Sequence, residues 1–210
     1  MIRKRYQGNI NDKERSKQKL IDAVGKVLRT KGYIGLTATN IAKAAGLSRR
    51  LITMYFGSVD ELVETYVRNR DFWLAASGNA GDMIASNKGE DTKEIIEYLL
   101  QNQIDNFYDN PEMQKLILWE ISKKTKIMYE VCEEREHLGS KVFELTDKEL
   151  QGRNIDIRAV TALLVAGIYY MVLHAKSTDT TFCEIDINQP EGMERIKNAI
   201  NLILDNTYNN

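Results

Sequence analysis

Only two prolines, Pro111 and Pro190, interrupt this chain of 210 residues. The apolar residues recur at intervals of three and four rather than two, which is the spacing of a buried helix face and not of a strand. Because proline breaks helices, its scarcity also favours helical structure. We therefore predict an all-α fold of about nine helices. The expected positions are 12–31, 38–46, 48–57, 58–75, 92–109, 111–124, 126–150, 155–176 and 190–207.

Charge is distributed unevenly along the chain. Residues 1–58 carry 13 Lys and Arg against 3 Asp and Glu, whereas residues 59–210 carry 16 against 27. The two parts nearly cancel, and the formal net charge of the whole chain is −1. A basic segment attached to an acidic remainder predicts that the N-terminal part faces a polyanion from which the rest is repelled.

The segment "AGLSRRLITMYF" at 45–56 combines a turn glycine, Gly46, with a helix-starting serine, Ser48, and two adjacent cations. Two helices joined by a tight turn with glycine form a helix-turn-helix, whose second helix enters the major groove of DNA. Arg49 and Arg50 fall in the first turn of that second helix. A guanidinium there can bind O6 and N7 of guanine, or a phosphate. The segment therefore predicts a DNA-binding element.

Four ordered segments occupy residues 13–62, namely "KQKLIDAVGKVLRTKGY", "LTATNIAKAAGLS", "LITMYF" and "DEL". Together they resemble the TetR family of bacterial transcription regulators. The resemblance implies a three-helix DNA-binding domain at 1–57, a connecting helix at 58–75, and a helical domain for ligand binding and dimerisation at 76–210. The resemblance fades beyond about residue 75, and the glycine-bearing segment 77–91 is the expected domain connection.

The resemblance also implies roles for individual residues of the N-terminal domain. Arg49, Arg50 and Thr53 are the expected contacts to base edges, and Leu51 is placed to meet a thymine methyl. The remaining positions are expected to contact phosphates, to contact a base, or to cap a helix. The predicted DNA-binding residues are Lys17, Thr37, Thr39, Ser48, Arg49, Arg50, Leu51, Thr53 and Tyr55.

Val59 stands where the family usually has a lysine that binds a phosphate. The basic arm Arg3–Arg5 offers a replacement, because such arms reach the DNA backbone or the minor groove in other proteins. The alternative is that the arm is a solvated chain end. The sequence leaves both open.

The helix expected at 155–176 is apolar around its whole circumference. Because such a helix must be buried on all sides, we expect the subunit core on one side and a second subunit on the other. The last helix, 190–207, has a narrower apolar stripe. The resemblance implies that these helices pair with their copies in a four-helix bundle of a homodimer. The predicted interface residues are Val160, Leu163, Leu164, Gly167, Met171, Ile196, Ile200 and Ile203.

Bulky semi-polar side chains are frequent in the helices after the N-terminal domain. The resemblance implies a small-molecule cavity between such helices, and aromatic walls with a few polar groups are typical of ligand pockets. Ordinary core packing is the alternative for each of these residues. The predicted ligand-binding residues are Trp73, Phe107, Trp119, Glu120, Tyr129, Tyr169, Tyr170 and His174.

Motifs of enzymes and metal sites are not found in the sequence. The segment "EEREH" at 133–137 has one histidine where a zinc-protease helix needs two, and neither a phosphate loop nor a Gly-x-Ser-x-Gly turn occurs. We therefore expect no enzyme activity, no metal and no cofactor. The two cysteines, Cys132 and Cys183, lie far apart, which suits a reducing cytoplasm.

The segment 159–175 has no formal charge and approaches the length of a membrane span. It also contains polar residues such as Thr161 and His174, and the sequence has no second hydrophobic span. We therefore expect a buried helix, no membrane partner and a cytoplasmic location.

These features predict a TetR-like transcriptional regulator, in the first place a repressor that an unidentified small-molecule effector releases from a palindromic double-stranded DNA operator. The alternative is an effector-independent scaffold on DNA that contacts another protein. A cavity of about 300 Å³ or more with polar groups would favour an effector. A filled core with an exposed apolar patch would favour a protein partner.

Overall fold

The computed structural model describes residues 9–71, 81 and 84–209. Within these residues the regular structure is helical, apart from one isolated bridge between Phe182 and Ile185, and the all-α prediction is confirmed. The helices are α1 (Asn9–Lys31), α2 (Ala38–Ala45), α3 (Arg50–Phe56), α4 (Val59–Arg70), α5 (Thr92–Asp109), α6 (Pro111–Ser122), α7 (Lys126–Glu149), α8 (Ile157–Thr178) and α9 (Pro190–Asn209). A short 3-10 helix, Tyr33–Gly35, lies between α1 and α2.

The short helices of the N-terminal domain are bounded by capping residues that the sequence predicts. Thr37 caps α2, because its hydroxyl accepts a hydrogen bond from the amide of Asn40 at 3.3 Å. Gly46 ends α2 with a φ of 66°, a left-handed conformation that glycine adopts without steric cost. Ser58 caps α4 by accepting from the amide of Glu61 at 3.1 Å. The caps satisfy amides that a helix start leaves unpaired, so local chemistry sets these boundaries.

Among the helix boundaries that differ from the prediction, the start of α3 and the end of α4 have a clear structural cause. α3 begins at Arg50, two residues later than expected, because the residues before it form a tighter turn with hydrogen bonds from i+3 to i. α4 ends at Arg70 instead of near residue 75. Asp71 follows in an extended conformation, and its carboxylate accepts hydrogen bonds from Arg135 of α7. A tertiary ion pair therefore marks the end of α4.

The C-terminal helices are arranged around α5, which contacts α6, α7, α8 and α9. Leu100, Ile104 and Phe107 of α5 are almost fully buried in this core. At the start of α5, the amide of Thr92 donates to the carboxylate of Glu149 on α7, and its hydroxyl lies 2.9 Å from the hydroxyl of Tyr208 on α9. Polar contacts and apolar packing thus hold α5 in the centre of the bundle.

The N-terminal domain packs onto α6 through α1 and α4. Glu112, in the first turn of α6, accepts a hydrogen bond from the hydroxyl of Tyr66 on α4 and forms an ion pair with Arg29 on α1. Tyr66 is fully buried, and burial raises its pKa to about 12, so that the hydroxyl stays protonated. Arg29, Tyr66 and Glu112, here called the Glu112 cluster, thereby join three helices from the two domains.

α8 is the one helix in the described part of the chain that is long and apolar enough to span a membrane by length and composition. It packs against α5, with Ile168 and Val172 buried in the core. The opposite side of α8 is exposed, and Leu163 there is 75% accessible. The helix is therefore a member of the C-terminal bundle with one uncovered apolar side.

Candidate nucleic-acid interface and cavity

The starts of α2 and α3 form a polar surface with two exposed arginines. The guanidinium of Arg49 donates to the hydroxyl of Thr39 at 3.4 Å, which brings the two helix starts together. Ile41 of α2 and Ile52 of α3 are 0% and 1% exposed, and they hold the two helices together in the core beneath this surface. The basic arm Arg3–Arg5 lies outside the described residues. The predicted contacts that the structure exposes are Thr37, Thr39, Ser48, Arg49, Arg50 and Thr53.

The other three predicted contacts are partly buried. Leu51 and Tyr55 pack against the core of the domain, and Nζ of Lys13 lies 6.0 Å from the centre of the Tyr55 ring. Lys17 forms an ion pair with Glu14 at 3.1 Å, so part of its charge is already neutralised. Leu51 is therefore less accessible to a thymine methyl than we expected, while Lys17 and Tyr55 remain predicted contacts.

A cavity of about 600 Å³ lies between α5, α7 and α8. The hydroxyl oxygen of Thr161 is buried in its wall and has no hydrogen-bond partner within the described residues. A buried hydroxyl without a partner is unfavourable by about 1–3 kcal/mol, so a polar atom of a ligand or a water would stabilise it. Most of the wall is apolar and is made by Ile96, Leu99, Leu100, Val142, Phe143, Ala162 and Val165.

Two predicted ligand-binding residues, Glu120 and Tyr169, line this cavity. Phe107 lies behind the wall, because it is 1% exposed and its ring packs edge-on against Tyr169 with 4.9 Å between ring centres. Trp119 does not line the cavity either. Its ring stacks at 5.8 Å on Tyr33, between α1 and α2, and thus helps to hold the two domains together.

Tyr129, Tyr170 and His174 also lie away from the wall of this cavity. Tyr129 is 65% exposed. Tyr170 is 55% exposed and forms a surface cluster with His174 and Phe182, whose ring centres lie 5.1–5.8 Å apart. These positions were predicted from residue type alone, whereas the packing of the helices places their side chains outside the cavity. Trp73 lies outside the described residues.

Arg135 is a cavity residue that the prediction missed. Its Nε and Nη2 donate to one oxygen of Asp71 at 2.9 and 2.5 Å, and its Nη1 donates to Glu120 at 2.6 Å. The side chain of Arg135 is 11% exposed, and that of Asp71 is fully buried. Burial lowers the pKa of Arg135, but the hydrogen bonds and charges of the two carboxylates raise it above its ordinary value. Asp71, Glu120 and Arg135, here called the Arg135 cluster, connect α4, α6 and α7.

The spacing of buried residues on α7 was the available signal for Arg135. Met128, Val131, Val142 and Leu145 are buried. Residue 135 follows Val131 by four and precedes Val142 by seven, which places it on the same helix face. Its acidic neighbours in "EEREH" are typical of a solvated helix face and obscure this signal.

The N-terminal sequence matches a known family. Residues 20–66 match the family model described as bacterial regulatory proteins, tetR family. Residues 20–66 therefore form a TetR-family domain. The matched residues include α2, α3 and both exposed arginines of the TetR-family domain. Among curated proteins, no sequence matches the chain.

Solved structures share the fold of the TetR-family domain together with the C-terminal bundle. A putative fatty acid metabolism regulator of Clostridium perfringens has a TM-score of 0.66 at 19% identity and covers 89% of this chain and 97% of its own. FadR from Bacillus subtilis, in complex with stearoyl-CoA, has a TM-score of 0.66 at 14% identity, covering 89% and 96%. A TetR family transcription regulator from Marinobacter aquaeolei gives 0.66 at 17% identity, covering 93% and 97%. The chain therefore has the fold of TetR-family regulators.

The predicted dimer residues of this TetR-like fold differ in exposure. Leu163 and Ile203 are 75% and 42% exposed, and Leu202, which was not predicted, is 60% exposed. Ile200 is only 3% exposed, because α9 packs against α5, so within one subunit it belongs to the core. The partly buried members are Val160, Leu164, Gly167, Met171 and Ile196.

Proposed function

We propose that this chain is a cytoplasmic transcriptional regulator that binds a palindromic DNA operator as a homodimer and is released from it by a small-molecule effector. The observation that carries the proposal is the exposure of Arg49 and Arg50 at the start of α3 in a TetR-family domain. Among the described residues neither arginine forms an ion pair with a carboxylate, and guanidinium groups in this position suit base edges and phosphates.

The uncovered apolar side of the C-terminal bundle supports the homodimer. Leu163 and Tyr170 on α8, with Leu202 and Ile203 on α9, are large apolar or aromatic side chains that are 42–75% exposed. Large exposed apolar patches are typical of protein interfaces, and these four side chains are the candidates for one. Pairing of α8 and α9 with their copies would cover it and would present two recognition helices to a two-fold operator.

The cavity supports a small-molecule effector over an effector-independent scaffold. Its volume of about 600 Å³ exceeds the lower bound of about 300 Å³ for ligand pockets. Its wall combines apolar residues with Arg135, Glu120 and the unpartnered hydroxyl of Thr161. An elongated apolar molecule with a polar head fits this composition. Stearoyl-CoA, the ligand of the structurally similar FadR, is the first compound to test.

The Arg135 cluster supplies a route from the cavity to the DNA-binding domain. Arg135 and Glu120 line the cavity, and Asp71 follows the last residue of α4. An effector whose polar head contacts Arg135 competes with the carboxylates of the cluster and so changes the position of α4. Effector and operator then weaken each other's binding reciprocally.

The experiment is operator binding by the purified full-length protein. Sites enriched from a random duplex pool are expected to be palindromic, and affinity is expected to fall steeply with salt concentration because cations on the protein displace counterions of DNA. Titration with stearoyl-CoA is expected to lower operator affinity. A pool without enrichment or a salt-independent affinity contradicts DNA binding. If stearoyl-CoA and shorter acyl-CoA compounds bind without changing operator affinity, the release mechanism is wrong.

A further inference from the structure

α3 presents one large apolar side chain to solvent. Met54 is 60% exposed, whereas Ile52 is buried and Leu51 and Phe56 pack against the core of the domain. Single exposed apolar residues are common on protein surfaces. Met54, however, lies on the helix that carries Arg50 into the proposed DNA interface.

Arg50 and Met54 lie on the same side of α3, because residues four apart are neighbours on a helix. Both side chains are exposed, as is that of Thr53. The helical rise separates the backbones of Arg50 and Met54 by about 6 Å along the axis, and base pairs are spaced by about 3.4 Å. When α3 lies along the major groove, Met54 therefore reaches a base pair about two steps from the one that Arg50 contacts.

The chemistry of the major groove selects the partner of Met54. Base edges present hydrogen-bond donors and acceptors, and thymine also presents its C5 methyl group. A methionine side chain is flexible and apolar and has only a weak acceptor, so it suits the methyl and not the polar edges. We infer that Met54 selects a thymine in each operator half-site by packing against this methyl group. The inference rests on the proposed function, because α3 must enter the groove.

Deoxyuridine provides the test, since it lacks the C5 methyl of thymine but keeps the same hydrogen-bonding edge. Operator sites are enriched with the wild-type protein, and each thymine of the enriched site is replaced singly by deoxyuridine. Burial of a methyl-sized group is worth about 0.8 kcal/mol. We therefore expect that, in each half-site, a single replacement at one particular thymine weakens wild-type binding about fourfold.

Two variants identify the side chain that makes this contact. Met54→Ala is expected to bind the thymine operator more weakly and to lose the sensitivity to deoxyuridine at that position. Ile121→Ala is the matched control, because Ile121 is 70% exposed but lies on α6 in the other domain. It is expected to retain the fourfold effect. Thermal unfolding of both variants verifies that they fold.

The outcomes separate this inference from the proposed function. If the pool yields no enriched sequence, the proposed function fails and the role of Met54 fails with it. If sites are enriched but all thymines tolerate replacement, DNA binding stands and the inference is overturned. It is also overturned if Met54→Ala keeps the wild-type sensitivity, because the methyl then contacts another residue.

Discussion

Asp71, the first residue after α4, is held by Arg135 of α7 through two hydrogen bonds to the same carboxylate oxygen, at 2.9 and 2.5 Å. Asp71 is fully buried, while Arg135 lines the cavity. One side chain therefore separates the cavity from the end of the helix that starts at the DNA-binding domain. A buried ion pair is costly to break from one side, so the pair gives α4 a defined end position.

Asp71→Asn is expected to lower the free energy of unfolding by about 3 kcal/mol, because it removes one partner of a buried ion pair. Urea unfolding of the full-length protein measures this change. Asp147→Asn is the matched control, since Asp147 forms a bidentate pair with Arg158 on the exposed surface. Exposed pairs contribute little to stability. If Asp147→Asn lowered the free energy of unfolding as much as Asp71→Asn, burial would not explain the effect of the Asp71 substitution.

The same substitution is expected to weaken communication between the cavity and the operator. Asp71→Asn should reduce the coupling between the proposed effector, tested as stearoyl-CoA, and the operator by about two- to thirtyfold, which is the range for residues that transmit such effects. The measurement is operator affinity with and without saturating stearoyl-CoA. Glu134→Gln breaks the ion pair with Arg68 between the same two helices and should leave the coupling unchanged. If both variants lost the same amount of coupling, any contact between α4 and α7 would transmit the effect, and Asp71 would have no special role.

Tyr66 is expected to make the protein sensitive to high pH. Its pKa is raised from 10.0 to about 12 in the folded state, chiefly by burial. The unfolded chain therefore loses this proton first, and the contribution of Tyr66 to stability, complete below pH 10, decreases as the pH rises to about 12. Unfolding measured between pH 9 and pH 12 should show a smaller decrease for Tyr66→Phe than for the wild type. Identical slopes would contradict the raised pKa.

Gly25→Ala tests how closely α1 approaches the Glu112 cluster. A Cβ at Gly25 would lie 2.7 Å from the Tyr66 hydroxyl oxygen and 2.9 Å from Oε1 of Glu112. We expect destabilisation of about 1–3 kcal/mol from this overpacking, although alanine favours a helix by about 1 kcal/mol. Gly139→Ala on α7 is the control, because its nearest neighbour is Phe143 at 3.8 Å. It should be neutral or stabilising in thermal unfolding, and a stabilised Gly25→Ala would contradict the close contact.

Leu163→Glu is expected to convert the proposed homodimer into a monomer, because it places a charge in the apolar surface of α8. Sedimentation equilibrium measures the mass directly. Ile121→Glu introduces the same charge at a side chain that is 70% exposed on α6, outside the proposed interface. That control should remain dimeric. A dimeric Leu163→Glu variant would assign the interface to another surface.

Local signals in the sequence were sufficient to predict most helices. The limits of α5 were predicted as residues 92–109, because Pro111 stands two residues beyond its end and the apolar residues before it keep one helical period. Thr37 and Ser58 have the residue type of an N-cap and stand directly before their helices. These features depend on interactions within a few residues, which a sequence displays directly.

The cavity was less predictable, because its composition depends on which helix faces meet. The partners Asp71 and Arg135 are 64 residues apart, and neither position alone indicates an ion pair. Tyr129 and Tyr169 have the same residue type, yet one is exposed and the other lines the cavity. Helix periodicity identifies faces but does not pair them, and this pairing determines the ligand-binding residues.

The Glu112 cluster has a mechanical consequence. Because a single carboxylate on α6 contacts both Arg29 of α1 and Tyr66 of α4, independent sliding of either helix along α6 would cost one of these contacts. A displacement of α6 would instead tilt the N-terminal helices together as one rigid lever. The distal end of such a lever travels farther than its pivot, so in the proposed DNA complex a small adjustment deep in the bundle would displace α3 relative to its groove.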